Sequence, residues 1–208
     1  MAEAKKISVV SLVMSLRYAL GDMQGLNISD YELIEPINQA IHKLYSYLSE
    51  RHIREVVEET TPTQISSTNT KITLPDTFIR ICQVLGAKST GTAAPSDDEY
   101  KVIIPTTHRK KVFGAYRLIG REITAENGWY IVEYYYIPEK KDDLVGDYNV
   151  PESMRTWIEQ LALAYYRKDY PTADRIVRQC ENVLAGREVT QFENSGVSQT
   201  LGARAAAQ

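Results

Sequence analysis

The sequence predicts an α+β protein, mainly α: a helical bundle made from helix pairs at the two chain ends, an inserted small antiparallel β-sheet, and an extended C-terminal arm. Three observations predict it. Apolar residues recur at helical spacing in 8–52 and again in 150–187. Between them, in 53–138, Thr-, Val- and Tyr-rich runs read as strands. Residues 188–208 carry neither period and read as an arm. Residues 1–187 then form a single domain.

The clearest element is 151–170, PESMRTWIEQLALAYYRKDY. Pro151 suits a first helical turn, and Asn149 can cap it with Glu152 in the reciprocal position. Met154, Ile158, Leu161 and Tyr165 follow at i, i+4, i+7 and i+11, widened by Trp157 and Tyr166. Upstream, Ser8 or Ser11 opens a first helix with Val9, Val13, Leu16 and Leu20 on one face. Gly21 stops it. Ser29 and Glu32 form a capping box for a second helix, whose stripe is Leu33, Ile37, Ile41, Leu44 and Leu48. Pro36 should kink that helix or push its start downstream. A last helix, 172–187, turns Ile176, Val177, Cys180, Val183 and Leu184 inward, with Pro171 separating it from its predecessor. The bundle core is expected from Leu16, Leu33, Ile37, Ile41, Leu44, Trp157, Ile158, Leu161 and Tyr165.

In the insert, 56–57, 71–74, 79–87 and 100–104 are short extended runs. The 88–99 stretch is a polar loop. Residues 116–124 and 129–137 are expected to pair as a hairpin through 125–128, whose Asn127-Gly128 is a strong turn signal. The second of these, WYIVEYYYIP, is the richest strand of the chain.

The totals exclude several classes. A chain of 208 residues buries roughly 70% of its unfolded surface and needs no staples. A net charge of −3 argues against a dedicated duplex-DNA binder. Cys82 and Cys180 are too few for a disulfide framework and fit a reducing compartment. Lys5-Lys6 followed by ISVVSLVMSL has the look of a secretory leader, but Arg17 comes at once and no small-x-small cleavage site follows. No apolar run is long enough to cross a bilayer. The 14 Tyr against 3 Phe favour core edges and interfaces, since Tyr joins apolar area to a polar tip.

No catalytic constellation is legible. His42, His52 and His108 are scattered, and neither H-x-x-x-H nor C-x-x-C occurs. Phosphate-cradling glycine loops and G-x-S-x-G are missing too. The acidic pairs lie in loops. The chain therefore reads as a non-enzyme without cofactor or metal. Arg109, Lys110 and Lys111 form one basic cluster, suited to an acidic neighbouring subunit or to nucleic acid. In the arm, Val189, Phe192, Val197 and Leu201 are spaced as anchors that order on docking.

Three sets of residues carry a resemblance. Leu16-Arg17-Tyr18-Ala19-Leu20-Gly21-Asp22, Ser29-Asp30-Tyr31-Glu32-Leu33 and Asn38-Gln39-Ala40 come first. Leu74-Pro75-Asp76-Thr77-Phe78 comes next, then Tyr134-Tyr135-Tyr136-Ile137-Pro138, Val150-Pro151-Glu152 and Ala164-Tyr165-Tyr166. Their order and spacing over about two thirds of the chain resemble phage head-to-tail adaptor proteins. Pro36, the 88–99 loop and the Arg109 cluster depart from that pattern. The resemblance implies a virion structural protein, assembled in the host cytoplasm into a ring, commonly of twelve copies. The ring would sit beneath the capsid portal, extend the DNA channel, and bind a tail nozzle or tail-tube protein. The C-terminal arm would dock on the portal, genomic DNA would pass through transiently, and no membrane would be involved. The competing expectation is a nucleic-acid-binding DNA-packaging accessory protein acting through Arg109, Lys110 and Lys111.

Overall fold

The structure is a computed structural model that describes residues 6–89, 91–107 and 114–192. It divides into two compact units, Met1–Glu55 with Pro138–Gln208, and Val56–Ile137.

In the first unit a two-residue strand β1 (Ile7–Ser8) leads into helix α1 (Val9–Leu20), followed by α2 (Asp30–Glu50). The capping box at Ser29 and Glu32 forms, so α2 starts there and runs on through Pro36. Pro36 does not push the start downstream. After the sheet unit, strand β10 (Asp147–Tyr148) pairs with β1, and α3 (Arg155–Tyr166) and α4 (Tyr170–Phe192) follow. Helix α3 packs on α1, α2 and α4. The expected long helix at 151–170 is shorter at both ends. Glu152–Met154 form a 3-10 turn with Pro151 at its N-cap, and the Glu152 carboxylate pairs with Arg155. At the far end Lys168 adopts a positive φ of 58°, which stops α3. Asp169 then accepts from the Thr172 backbone at 3.1 Å, and Pro171 lies in the first turn of α4 without separating two helices. Val183, expected inward, faces solvent.

The second unit overturns the predicted fold class. It is not a small antiparallel insert in a helical bundle but a large, curled, mixed sheet of eight strands. These are β2 (Val57–Glu59), β3 (Thr63–Ile65), β4 (Ile72–Thr73), β5 (Phe78–Ala87), β6 (Lys101–Pro105), β7 (Ala115–Ile119), β8 (Glu122–Ala125) and β9 (Gly128–Tyr136). Their order is β2-β9-β5-β6-β7-β8-β4, with β3 also on β9. The β6–β7 pair is parallel and the other pairs in this sheet are antiparallel.

The central strand β9 explains the size. It is paired along both edges, by β5 on one side and by β2 and β3 on the other. Its alternate residues Tyr130, Val132, Tyr134 and Tyr136 are buried. With Val84, Ile103, Tyr116 and Ile123 they belong to the core of this unit. Two register shifts interrupt the pairing of β5 with β9, between Phe78 and Arg80 and between Ile81 and Gln83.

The expected hairpin between 116–124 and 129–137 does not form. That first run is itself a hairpin, β7 and β8, turning at Gly120 with φ 58°. Gly128 serves a different purpose from a turn glycine. A Cβ there would stand 2.8 Å from the Ala87 carbonyl oxygen, so its bare backbone lets β9 close on β5.

Candidate assembly surface

Helix α1 is VVSLVMSLRYAL, with one charged residue and no acid. Val9, Leu12, Val13 and Leu16 are buried against the rest of the unit. The opposite side is also apolar. Val10, Met14 and Tyr18 recur every fourth residue and are 45%, 44% and 76% exposed. A helix apolar all round normally has partners all round.

The one charge of α1, Arg17, does not reach solvent; it is 6% exposed. Its guanidinium donates to Asp22 Oδ2 at 2.9 Å and to Asp30 Oδ1. The bond to Asp30, followed by the charges of Asp30 and Asp22, raises the Arg17 pKa despite burial. Asp22 gathers the loop after the helix. Its Oδ1 accepts from the backbone N–H of Leu26 at 3.1 Å and of Asn27 at 3.2 Å, and its Oδ2 accepts from Ile28 at 3.0 Å. Burial alone would raise the Asp22 pKa, but these bonds and the Arg17 charge hold it below the ordinary value.

Local sequence makes the turn possible. Gly21, with φ 74°, ends α1, and the Asp22 N–H returns to the Arg17 carbonyl at 3.0 Å. Gly25, with φ 66°, lies under the guanidinium, where a Cβ would be 3.0 Å from Arg17 Nη1. The capping box then launches α2, with the Ser29 N–H donating to Glu32 Oε2 at 2.8 Å. This tied loop holds out Met23, 53% exposed, and Leu26, 76% exposed, with Tyr31, 70% exposed, at the start of α2.

The residues singled out from the sequence fall elsewhere. Leu16, Leu33, Ile37, Ile41, Leu44, Ile158 and Leu161 are buried in the helical unit, whereas Trp157 and Tyr165 are half-buried. Tyr165 meets Tyr170 edge-on, with ring centroids 6.2 Å apart. Val189 and Phe192 belong to the last turns of α4, so the extended arm does not begin at 188. The stretch from Glu188 to Phe192 contains neither Gly nor Pro to stop the helix. Val197 and Leu201 lie outside the described residues, as do Arg109, Lys110 and Lys111. Among the described residues no three His, Cys, Asp or Glu side chains are grouped to hold a metal ion. No helix there is long and apolar enough to cross a membrane.

The surface residues of α1 and its loop were missed by the sequence reading. The signal was present in Val10, Met14 and Tyr18, a second stripe at helical spacing. The dense apolar run ISVVSLVMSL, leader-like as sequence, encodes a helix with two apolar sides. A scan against protein-family models finds no match, and a search of curated proteins finds none either.

Proposed function

We propose that the chain is a structural virion protein, an adaptor that assembles as a ring between capsid portal and tail, extends the DNA channel and offers the tail its attachment site. The observation that carries this reading is the double-sided apolar helix α1, whose only charge is drawn inward to Asp22 and Asp30. A subunit of a closed ring repeats one contact around an axis, and that contact needs a standing apolar surface. The order of adaptor-like segments along the chain supports the same reading. So does the net charge of −3, which suits a conduit that DNA traverses without adhering.

The chain would then meet three kinds of partner: copies of itself, the portal above, and a tail nozzle or tail-tube protein below. Its place would be the head–tail interface of the virion. The competing packaging-factor reading gains nothing from the exposed surface of α1, which is uncharged where phosphate contacts require cations.

The test is docking to portal. Full-length protein should bind purified portal in a complex with rotational symmetry, and deletion of 188–208 should leave the chain folded but abolish binding. Docking that survives the deletion would remove the anchor role of the C-terminal segment. Absence of any portal complex would remove the adaptor reading.

A further inference from the structure

We propose that the loop between α1 and α2 is a preformed knob by which one copy of this chain grips another, with Leu26 at its tip. The choice of partner rests on the assembly reading above; the knob itself rests on geometry. Asp22 fixes three consecutive backbone N–H groups, those of Leu26, Asn27 and Ile28, and Arg17 fixes Asp22. Arg17 also holds Asp30, so both ends of the loop are tied to one buried guanidinium. A loop whose backbone is already ordered loses little entropy on docking, which is the advantage of a rigid anchor.

Beside the polar Gln24, Asn27 and Ser29, this loop presents two large exposed apolar side chains, Met23 and Leu26. Met23, Leu26 and Tyr31 extend the stripe of Val10, Met14 and Tyr18, because Arg17 brings the loop to the end of α1 that carries Tyr18. The six side chains expose on the order of 700 Å², near the ~800 Å² that each partner contributes to a stable interface.

The chemistry of the patch selects the occupant. A membrane-surface helix sets Lys and Arg beside its apolar face to meet anionic lipid, and α1 has only Arg17, which is sequestered. Nucleic acid needs the same free cations. An apolar patch of near-interface area, with no exposed cation and with the carboxylates of Asp30 and Glu32 beside Tyr31, matches the apolar core and polar rim of a homo-oligomer contact, and the occupant is a second copy of this chain.

The experiment is sedimentation velocity of the full-length protein over a concentration series, with Leu26→Asp and Tyr31→Ser compared with wild type. Both residues are exposed, so folding should be kept, and circular dichroism with a thermal melt checks it. Wild type should self-associate, and each variant should weaken association by roughly tenfold or more in Kd. Association that is indifferent to both substitutions would overturn the knob. So would a wild type that stays monomeric at ~100 μM, above the micromolar-to-picomolar range that interfaces of standard size span. A Leu26→Asp variant that self-associates normally but loses a different protein partner would overturn it as well. Portal docking is scored separately, so failure of the adaptor reading and failure of the knob cannot be confused.

Discussion

Asn38 and Lys141 hold each other by two hydrogen bonds, as two neighbouring strands would. The Asn38 Nδ2 donates to the Lys141 carbonyl at 2.7 Å, and the Lys141 backbone N–H donates to Asn38 Oδ1 at 3.1 Å. The Tyr148 hydroxyl donates to the same Oδ1 at 2.8 Å. One buried amide on α2 thereby fixes the segment between 138 and 150, which delivers the chain to α3. Replacing Asn38 with Ala should leave these groups unsatisfied and cost about 2–3 kcal/mol, seen as a fall in Tm of roughly 5–10 °C. Asn38→Asp keeps an acceptor for the Lys141 N–H and the Tyr148 hydroxyl but has no N–H for the Lys141 carbonyl, so a melt comparing it with Ala separates the accepted bonds from the donated one.

Gly128 offers a second stability test. Gly128→Ala sets a Cβ against the Ala87 carbonyl, a contact with backbone that no rotamer change relieves. The expected loss is about 1–3 kcal/mol by chemical denaturation. Gly86→Val should cost more, because a Cβ at Gly86 already lies 2.9 Å from the Tyr130 ring and 3.2 Å from Ile103.

Alkaline pH should unfold the protein through its buried tyrosines. Burial, then the nearby Glu126 charge, pushes the Tyr130 hydroxyl up to about 12. Burial raises Tyr134 and Tyr148 as well, with Glu58 adding to the first and Asp142 and Glu35 to the second. A raised folded pKa means the unfolded chain ionises first. The stability is complete below about pH 10 and is lost as pH rises through the folded values. Tyrosinate difference absorbance should therefore show these hydroxyls ionising together with loss of the fold. Smooth ionisation with the circular dichroism unchanged would refute it.

The α1–α2 loop should loosen in acid. Asp22 has a lowered pKa, so its grip is present above the ordinary carboxylate value and is lost as pH falls through the folded one. Asp22→Asn should loosen the loop at neutral pH, read as faster amide exchange at Leu26, Asn27 and Ile28. Pepsin, active in acid, should cut wild type within 21–28 more readily as pH drops.

Local signals in the sequence were sufficient where they were complete in themselves. The Ser29–Glu32 capping box and the Leu33, Ile37, Ile41, Leu44 stripe lie within one helix, and α2 forms as read. The sheet was underestimated because its size is a property of long-range pairing. Segments such as Thr63–Ile65 and Ile72–Thr73 are too short to show alternation and become strands through β9 and β8. Asn127-Gly128 misled because the same glycine that favours a turn also permits close approach of two strands. The knob was hidden for a related reason. Arg17, Asp22 and Asp30 look like ordinary surface charges in sequence, and only the fold brings them together. Nothing in the one-dimensional pattern distinguishes the exposed Tyr18 from the buried Tyr45.

Electron cryomicroscopy of the full-length chain bound to portal addresses assembly most directly. The prediction is a closed ring of repeated subunits in which Val10, Met14, Tyr18 and Leu26 are covered by the adjacent copy. Isolated subunits, or a ring that leaves the outward side of α1 and its loop in water, would contradict it.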